Sequence, residues 1–150
     1  MTPIKKTEYV LGFLHNPATD KVVLITKRKD SRFPGALNGV GGHIEEFDAS
    51  EHAAMAREFK EEAGLDASPL VWEEFATIRS AHSVVYCFKW SASPTLINSV
   101  KTMTDEPVGV YDMGRILAGE HNCVHAMLPL IAAIKFPHPN GCRININIHD

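Results

Sequence analysis

Between positions 35 and 42 four of eight residues are glycine, and six positions later a helical pattern begins that runs to Gly64. So much glycine argues against a helix in 35–42, and residues without a Cβ let the backbone come close to a ligand. Asp48, with Glu51 three residues on, has the acidic pattern of a capping box, and Gly64 suits a left-handed C-terminal residue. On a helical wheel Glu58, Glu61 and Glu62 fall within an arc of about 100°, with Arg57 on its flank and Glu51 pointing the same way. Met55, Ala56, Phe59 and Ala63 occupy a separate arc that can face a core. Like charges at such spacings cost roughly 0.2–0.5 kcal/mol per pair, a repulsion that a bound cation turns into attraction. All-oxygen ligands suit Mg²⁺, Mn²⁺ or Ca²⁺. An acidic helix alone is more often a solvated face. A glycine loop leading into it gives the carboxylates a chemical purpose, the holding of a metal-bound diphosphate.

The rest of the chain supplies a scaffold. Positions 9–14 read as a buried strand and 22–26 as a second, joined through a turn at 17–20. Further strands are expected over 75–79, 84–90 and 107–111, and a second helix over 124–134 that stops before Pro137. Positions 144–148 alternate Ile and Asn, which predicts an edge strand with one buried face. Hairpins interspersed with helices indicate a mixed-sheet α/β or α+β fold. A length of 150 residues fits one domain, 1–150, with 135–150 as a C-terminal extension carrying the edge strand.

Composition narrows the function. A net charge of −3 argues against a nucleic-acid polymer as partner, since such binding rests on many Lys and Arg contacts to phosphate. A small nucleotide remains open because a cation can supply the missing charge. Cys87, Cys123 and Cys142 form no CxxC pair, so a reducing compartment is expected, with Cys87 a small core residue. With neither a secretory signal nor a long apolar run, the expectation is a soluble, cytoplasmic protein away from membranes. Arg28, Lys29 and Arg32 precede the glycine loop and either steer an anion or form a solvated turn. Phe33, Trp72 and Tyr86 can stack on a base, although buried aromatics more often fill core. The histidines show no metal-ligand spacing, and His43 is read as serving the loop.

Residues 57–65 read Arg-Glu-Phe-Lys-Glu-Glu-Ala-Gly-Leu, and here the chain resembles the Nudix hydrolases. Their signature is Gly, five residues, Glu, seven residues, then Arg-Glu-apolar-any-Glu-Glu-any-Gly-apolar. The second half matches at every fixed position. In the first half, five residues after Gly42 bring Asp48 rather than Glu, and eight residues rather than seven separate it from Arg57. A one-residue insertion before the helix, with Asp48 standing in for the glutamate, accounts for both departures. The 37–42 loop is similar to that of MutT-like members, and 104–108 to a late acidic loop; the likeness covers about 8–134.

That resemblance implies an α/β/α sandwich around a mixed sheet. It implies Mg²⁺ (or Mn²⁺) held by Glu58, Glu61, Glu62 and the Gly42 carbonyl. Arg57 would orient a glutamate, and Glu58 would act as general base with help from Glu106. Arg28, Arg32, Phe33 and Asn38 are the candidate substrate contacts. A (deoxy)nucleoside triphosphate, normal or modified, is the leading substrate, cleaved to a monophosphate and pyrophosphate. ADP-ribose or another nucleoside diphosphate derivative is the alternative. The segment 121–125 lacks the paired aspartates that look to be the base readers in the vertebrate oxidised-purine triphosphatase. A non-catalytic nucleotide-binding module is disfavoured because all three glutamates are intact. Either a monomer or a homodimer is expected, the latter through the 144–148 strand.

Overall fold

Positions 9–14 are apolar at nearly every residue because the strand they form is covered on both faces. In the computed structural model, which describes residues 5–149, β1 (Thr7–Asn16) lies inside an eight-stranded mixed sheet. β2 (Lys21–Thr26) and β4 (Val40–His43) pair with it antiparallel, while β6 (Ser83–Ser91) runs parallel to it. β3 (Leu37–Asn38), β5 (Glu73–Arg79) and β8 (Ile144–Asn147) complete the order β3-β2-β1-β6-β5-β8, and β7 (Val108–Asp112) pairs with β2.

Alternation along the strands sends side chains into two cores. Val10, Leu14, Val23 and Ile25 meet α1 (Glu51–Ala63) through Ala54, Met55 and Phe59, joined by Trp72 and Phe88. Phe13, Val22 and Leu24 face α3 (Met113–Leu117) and α4 (Met127–Lys135) through Ile116, Leu130, Ile131 and Ile134. The result is the expected α/β/α sandwich. Each large apolar side chain buried this way contributes about 1.5–3 kcal/mol. At Gly12 a Cβ would lie 2.6 Å from the Met55 sulfur and 3.0 Å from the Trp72 ring, so the bare backbone there leaves room for these two side chains.

Two helix starts differ from the sequence expectation. α1 is capped by Ser50, whose hydroxyl accepts from the Ala53 N–H, and not by Asp48. Asp48 is drawn off by Arg57, a stronger, charged partner. α4 begins at Met127 rather than 124, because Leu37 holds the preceding segment in extended backbone pairing: its N–H donates to Asn122 O and its C=O accepts from Val124 N–H. At the other end of α1, Gly64 has φ 74° and donates to Lys60 O, as its position predicts. Cys87 is fully buried. Trp72 is core rather than base-stacking surface, and the Tyr86 hydroxyl is taken by Glu8 at 2.8 Å. The tail strand β8 forms as an edge, parallel to β5, with Ile144 and Ile146 against the α4-side core. α2 (Pro94–Ile97), α3 and the two short strands of the glycine segment were not anticipated.

His15, at the end of β1, is 6% exposed and its Nδ1 has no hydrogen-bond partner. Burial, aided by the Lys89 charge, lowers its pKa from 6.5 to about 4. The unfolded chain therefore binds this proton more readily. The neutral imidazole's contribution to stability is fully present above pH 6.5 and is lost as pH falls toward 4. Thermal melts of wild type and His15→Gln between these limits test this. Wild type is expected to lose more stability on acidification than the variant, and parallel curves would rule it out.

Candidate active site

α1 lies across β4, and the two elements leave little space between them. A Cβ on Gly42 would fall 2.6 Å from the Glu58 carboxylate, and the Gly41 N–H donates to Glu62 Oε2 at 3.2 Å. Helical spacing places Arg57, Glu58, Glu61 and Glu62 on the side facing this loop. Their arrangement is organised by Arg57. Its Nε and Nη2 form a two-pronged pair with Asp48, each bond 2.9 Å long. Nη1 reaches Glu58 at 3.1 Å and Glu61 at 3.2 Å, while Nη2 also donates to His43 O at 3.0 Å. Phe47, 74% exposed, lies under the guanidinium at 5.2 Å. Asp48 in turn accepts from the Glu45 N–H, which closes the turn before the helix.

A second group approaches from the sheet. Glu106 is 6% exposed and accepts from Lys27 Nζ at 3.1 Å and from the Arg28 backbone N–H at 3.1 Å. Its charge and that of Lys27 both reach Glu62. Among the described residues, Glu58, Glu61, Glu62, Glu106 and Asp48 thus face the charges of Arg57 and Lys27, an excess of negative charge in a half-buried site. The consequences are unequal. The Arg57 hydrogen bond holds the Asp48 carboxyl below its ordinary range. Burial raises that of Glu58 despite Arg57. Burial, then the Glu58 charge, pushes Glu62 up to about 7.

Hard oxygen donors, a carboxylate short of positive charge and a glycine cradle fit a divalent cation. Among the described residues no three acidic, His or Cys side chains converge on one point in this arrangement. The guanidinium holds Glu61 and Glu58, so a cation bound by these carboxylates would compete with Arg57, first at Glu61, whose side chain is 56% exposed.

The structure brings Arg57, Glu58 and Glu61 into direct contact, with Glu62 bonded to the Gly41 N–H of β4 and Glu106 near enough for its charge to reach Glu62. Arg28 reaches this group through its backbone; its side chain pairs with Asp30 and Asp105. Arg32 and Phe33 form a separate cluster, the Arg32 guanidinium over the Phe33 ring at 5.4 Å and His125 edge-on at 5.0 Å. Asn38 accepts from the Gly39 N–H through its own side chain. Lys27 was overlooked in the sequence, yet β2 signals it. Val23, Ile25 and position 27 share one face, so a lysine there follows two core residues toward α1.

Residues 5–110 match the family profile described as the NUDIX domain. A search of curated protein sequences finds no match. Among solved structures, MutT from a study of Aliivibrio salmonicida and Vibrio cholerae aligns with a TM-score of 0.71 at 18% identity, over 87% of this chain and 98% of that one. A NUDIX hydrolase from Nitrosomonas europaea gives 0.72 at 17% identity, over 97% and 80%. MutT from Bacillus halodurans gives 0.69 at 12% identity, over 95% and 89%. These structures show a common fold, and the profile match covers most of the sequence, including the glycine loop and the whole of α1. The chain belongs to the Nudix family of hydrolases.

Proposed function

We propose that this enzyme is a Mg²⁺-dependent pyrophosphohydrolase of a (deoxy)nucleoside triphosphate, normal or modified, releasing the monophosphate and pyrophosphate. The observation that carries this reading is the pairing of buried Glu58 with Gly42, beside a Glu62 whose carboxyl burial lifts to about 7. Such a pocket favours whatever brings positive charge to it. A bound divalent cation would neutralise the diphosphate and make a water more acidic. Glu58, Glu61, Glu62 and the Gly42 carbonyl are the residues we assign to hold it.

The remaining work falls to side chains of this chain. Glu58 takes the proton of the attacking water as oxygen bonds to phosphorus and the phosphoanhydride P–O bond breaks. Pyrophosphate then leaves with the electron pair of that bond. Glu106, fixed by Lys27 and the Arg28 N–H, orients water from the opposite side. Arg57 is a positioning residue that sets the Glu58 and Glu61 carboxylates. The Arg28 and Arg32 side chains are exposed, and a phosphate would draw Arg28 from its pairs with Asp30 and Asp105, with Phe33 and Asn38 on the nucleoside side. The triphosphate preference is supported by the likeness of the 37–42 loop to MutT-like members. We also assign residues 111–149 to the same domain as the matched segment, because α3, α4 and β8 complete one of its two cores.

A nucleotide panel tests the reaction. With Mg²⁺, dNTPs or 8-oxo-dGTP should be turned over, and Glu61→Gln/Glu62→Gln should cost about 10³-fold or more, on the scale of losing a positioned catalytic group. Turnover confined to ADP-ribose would move the enzyme to the diphosphate-derivative branch. A folded protein inactive on every member would leave a binding module.

Arg57 and Asp48 should act as one unit. Asp48→Asn and Arg57→Lys are each expected to lower kcat about 10- to 100-fold with little change in KM, the usual scale for supporting residues. The double variant should be no worse than Arg57→Lys alone; additive losses would show that the two act separately.

Glu62 makes metal binding pH-dependent. Its folded pKa is raised from 4.5 to about 7, so ionisation costs the cation-free protein stability as pH rises through that window. A cation relieves this cost and competes with the proton. The rise in melting temperature on adding Mg²⁺ should be larger at pH 8 than at pH 6, with proton release on binding near neutrality. Equal gains at both values would refute the assignment of Glu62.

A further inference from the structure

β8 ends the sheet, and its backbone pattern is self-complementary. The Ile148 N–H donates to Arg79 O at 2.8 Å, so the Ile residues of this strand turn their peptide groups toward β5. By the same alternation, the N–H and C=O of Asn145 and Asn147 point away from the sheet. Two features that usually blunt a free edge, charge and proline, are absent from 144–148, although the strand is short. The neighbouring Arg143 is engaged with Glu74 on β5.

We propose that this edge pairs with β8 of a second copy of the chain, antiparallel, about a two-fold axis through Ile146. The register follows from parity. Pairing centred on Ile146 sets Asn145 of one copy opposite Asn147 of the other, and these residues carry the outward-facing peptide groups. Each such pair exchanges two N–H···O bonds, and the axis generates a second pair. Moving the centre to Asn145 or Asn147 would leave a single two-fold hydrogen-bonded pair within the four-residue strand. The same register puts Ile144 opposite Ile148 and Ile146 opposite itself. All three are only partly buried against the α4-side core, so a second copy covers the remainder. Phe136, 67% exposed, adds apolar surface on that face, across a cavity of about 230 Å³ lined also by Phe75, Ala133, Pro137 and Ile144. The paired strands are short, so the association is concentration-dependent rather than obligate.

Sedimentation equilibrium across a concentration series tests the proposal, with circular dichroism and thermal melts as folding controls. Wild type should show a monomer–dimer equilibrium. Asn145→Pro removes an outward donor while sparing the β5 ladder, and should be a folded monomer. Asn145→Asp/Asn147→Asp sets carboxylates opposite one another and should also be monomeric. Asn145→Lys/Asn147→Asp sets opposite charges across the axis and should restore the dimer. A wild type that stays monomeric throughout the series overturns the proposal. So does a dimer that survives both Asn145→Pro and the double aspartate variant.

Discussion

One guanidinium fixes the geometry of the candidate active site. Arg57 bonds Asp48 with two parallel N–H groups and spends its remaining donors on Glu58, Glu61 and the His43 carbonyl. It thereby ties the loop before α1 to the helix that carries the glutamates. A lysine would supply the charge but not the fork, and so could not hold a carboxylate pair and a backbone carbonyl in fixed directions at once. Charge-assisted hydrogen bonds of this kind are about twice as strong as neutral ones. The partners are poorly exposed, the Asp48 side chain 4% and the Glu58 side chain 12%, so solvent screens them little.

That clamp would be idle without the sheet behind it. β1 carries α1 on one face through the gap at Gly12, and holds β4, with Gly41 and Gly42, along its edge. Helix and loop therefore take their spacing from the same strand. β2 delivers Lys27 from its end, and the chain between Lys27 and Glu106 closes the pocket through an ion pair 79 residues apart in sequence. The second core, on the far face, stabilises this arrangement without entering it. The site thus rests on regular elements packed into the core, which hold side chains more closely than loops do.

Sequence made some of this visible and hid the rest for physical reasons. The α1 glutamates and Gly64 declared themselves by spacing, because a helix repeats locally. The two central strands were plain because burial on both faces leaves a continuous apolar run. β3 and β4 were hidden because glycine carries little strand propensity, and they exist only through pairing with β2 and β1. Asp48 was read as the cap because Glu51 three residues on completes the capping-box pattern, which Ser50, with Ala53 at that distance, lacks. Only the position of Arg57 in space decides which of them the helix keeps. The start of α4 was misplaced for a related reason, since Leu37, remote in sequence, pairs with the residues just before it. His15 left no trace, because a buried imidazole looks like any polar residue at a strand end.

The irregular first half of the Nudix signature holds two departures that meet at Asp48. Aspartate is one methylene shorter than the signature glutamate, and eight residues rather than seven separate it from Arg57. Asp48 donates its N–H to Glu45 O at 3.0 Å and accepts the Glu45 N–H on its side chain at 2.8 Å, so the turn that leads into it is closed on itself. Both of its carboxylate oxygens are engaged by Arg57. Phe47, turned outward by the same loop, covers the guanidinium from the solvent side. The turn and the helix are thus tied through a side chain shorter than the signature's, and the same guanidinium goes on to hold Glu58 and Glu61 of α1.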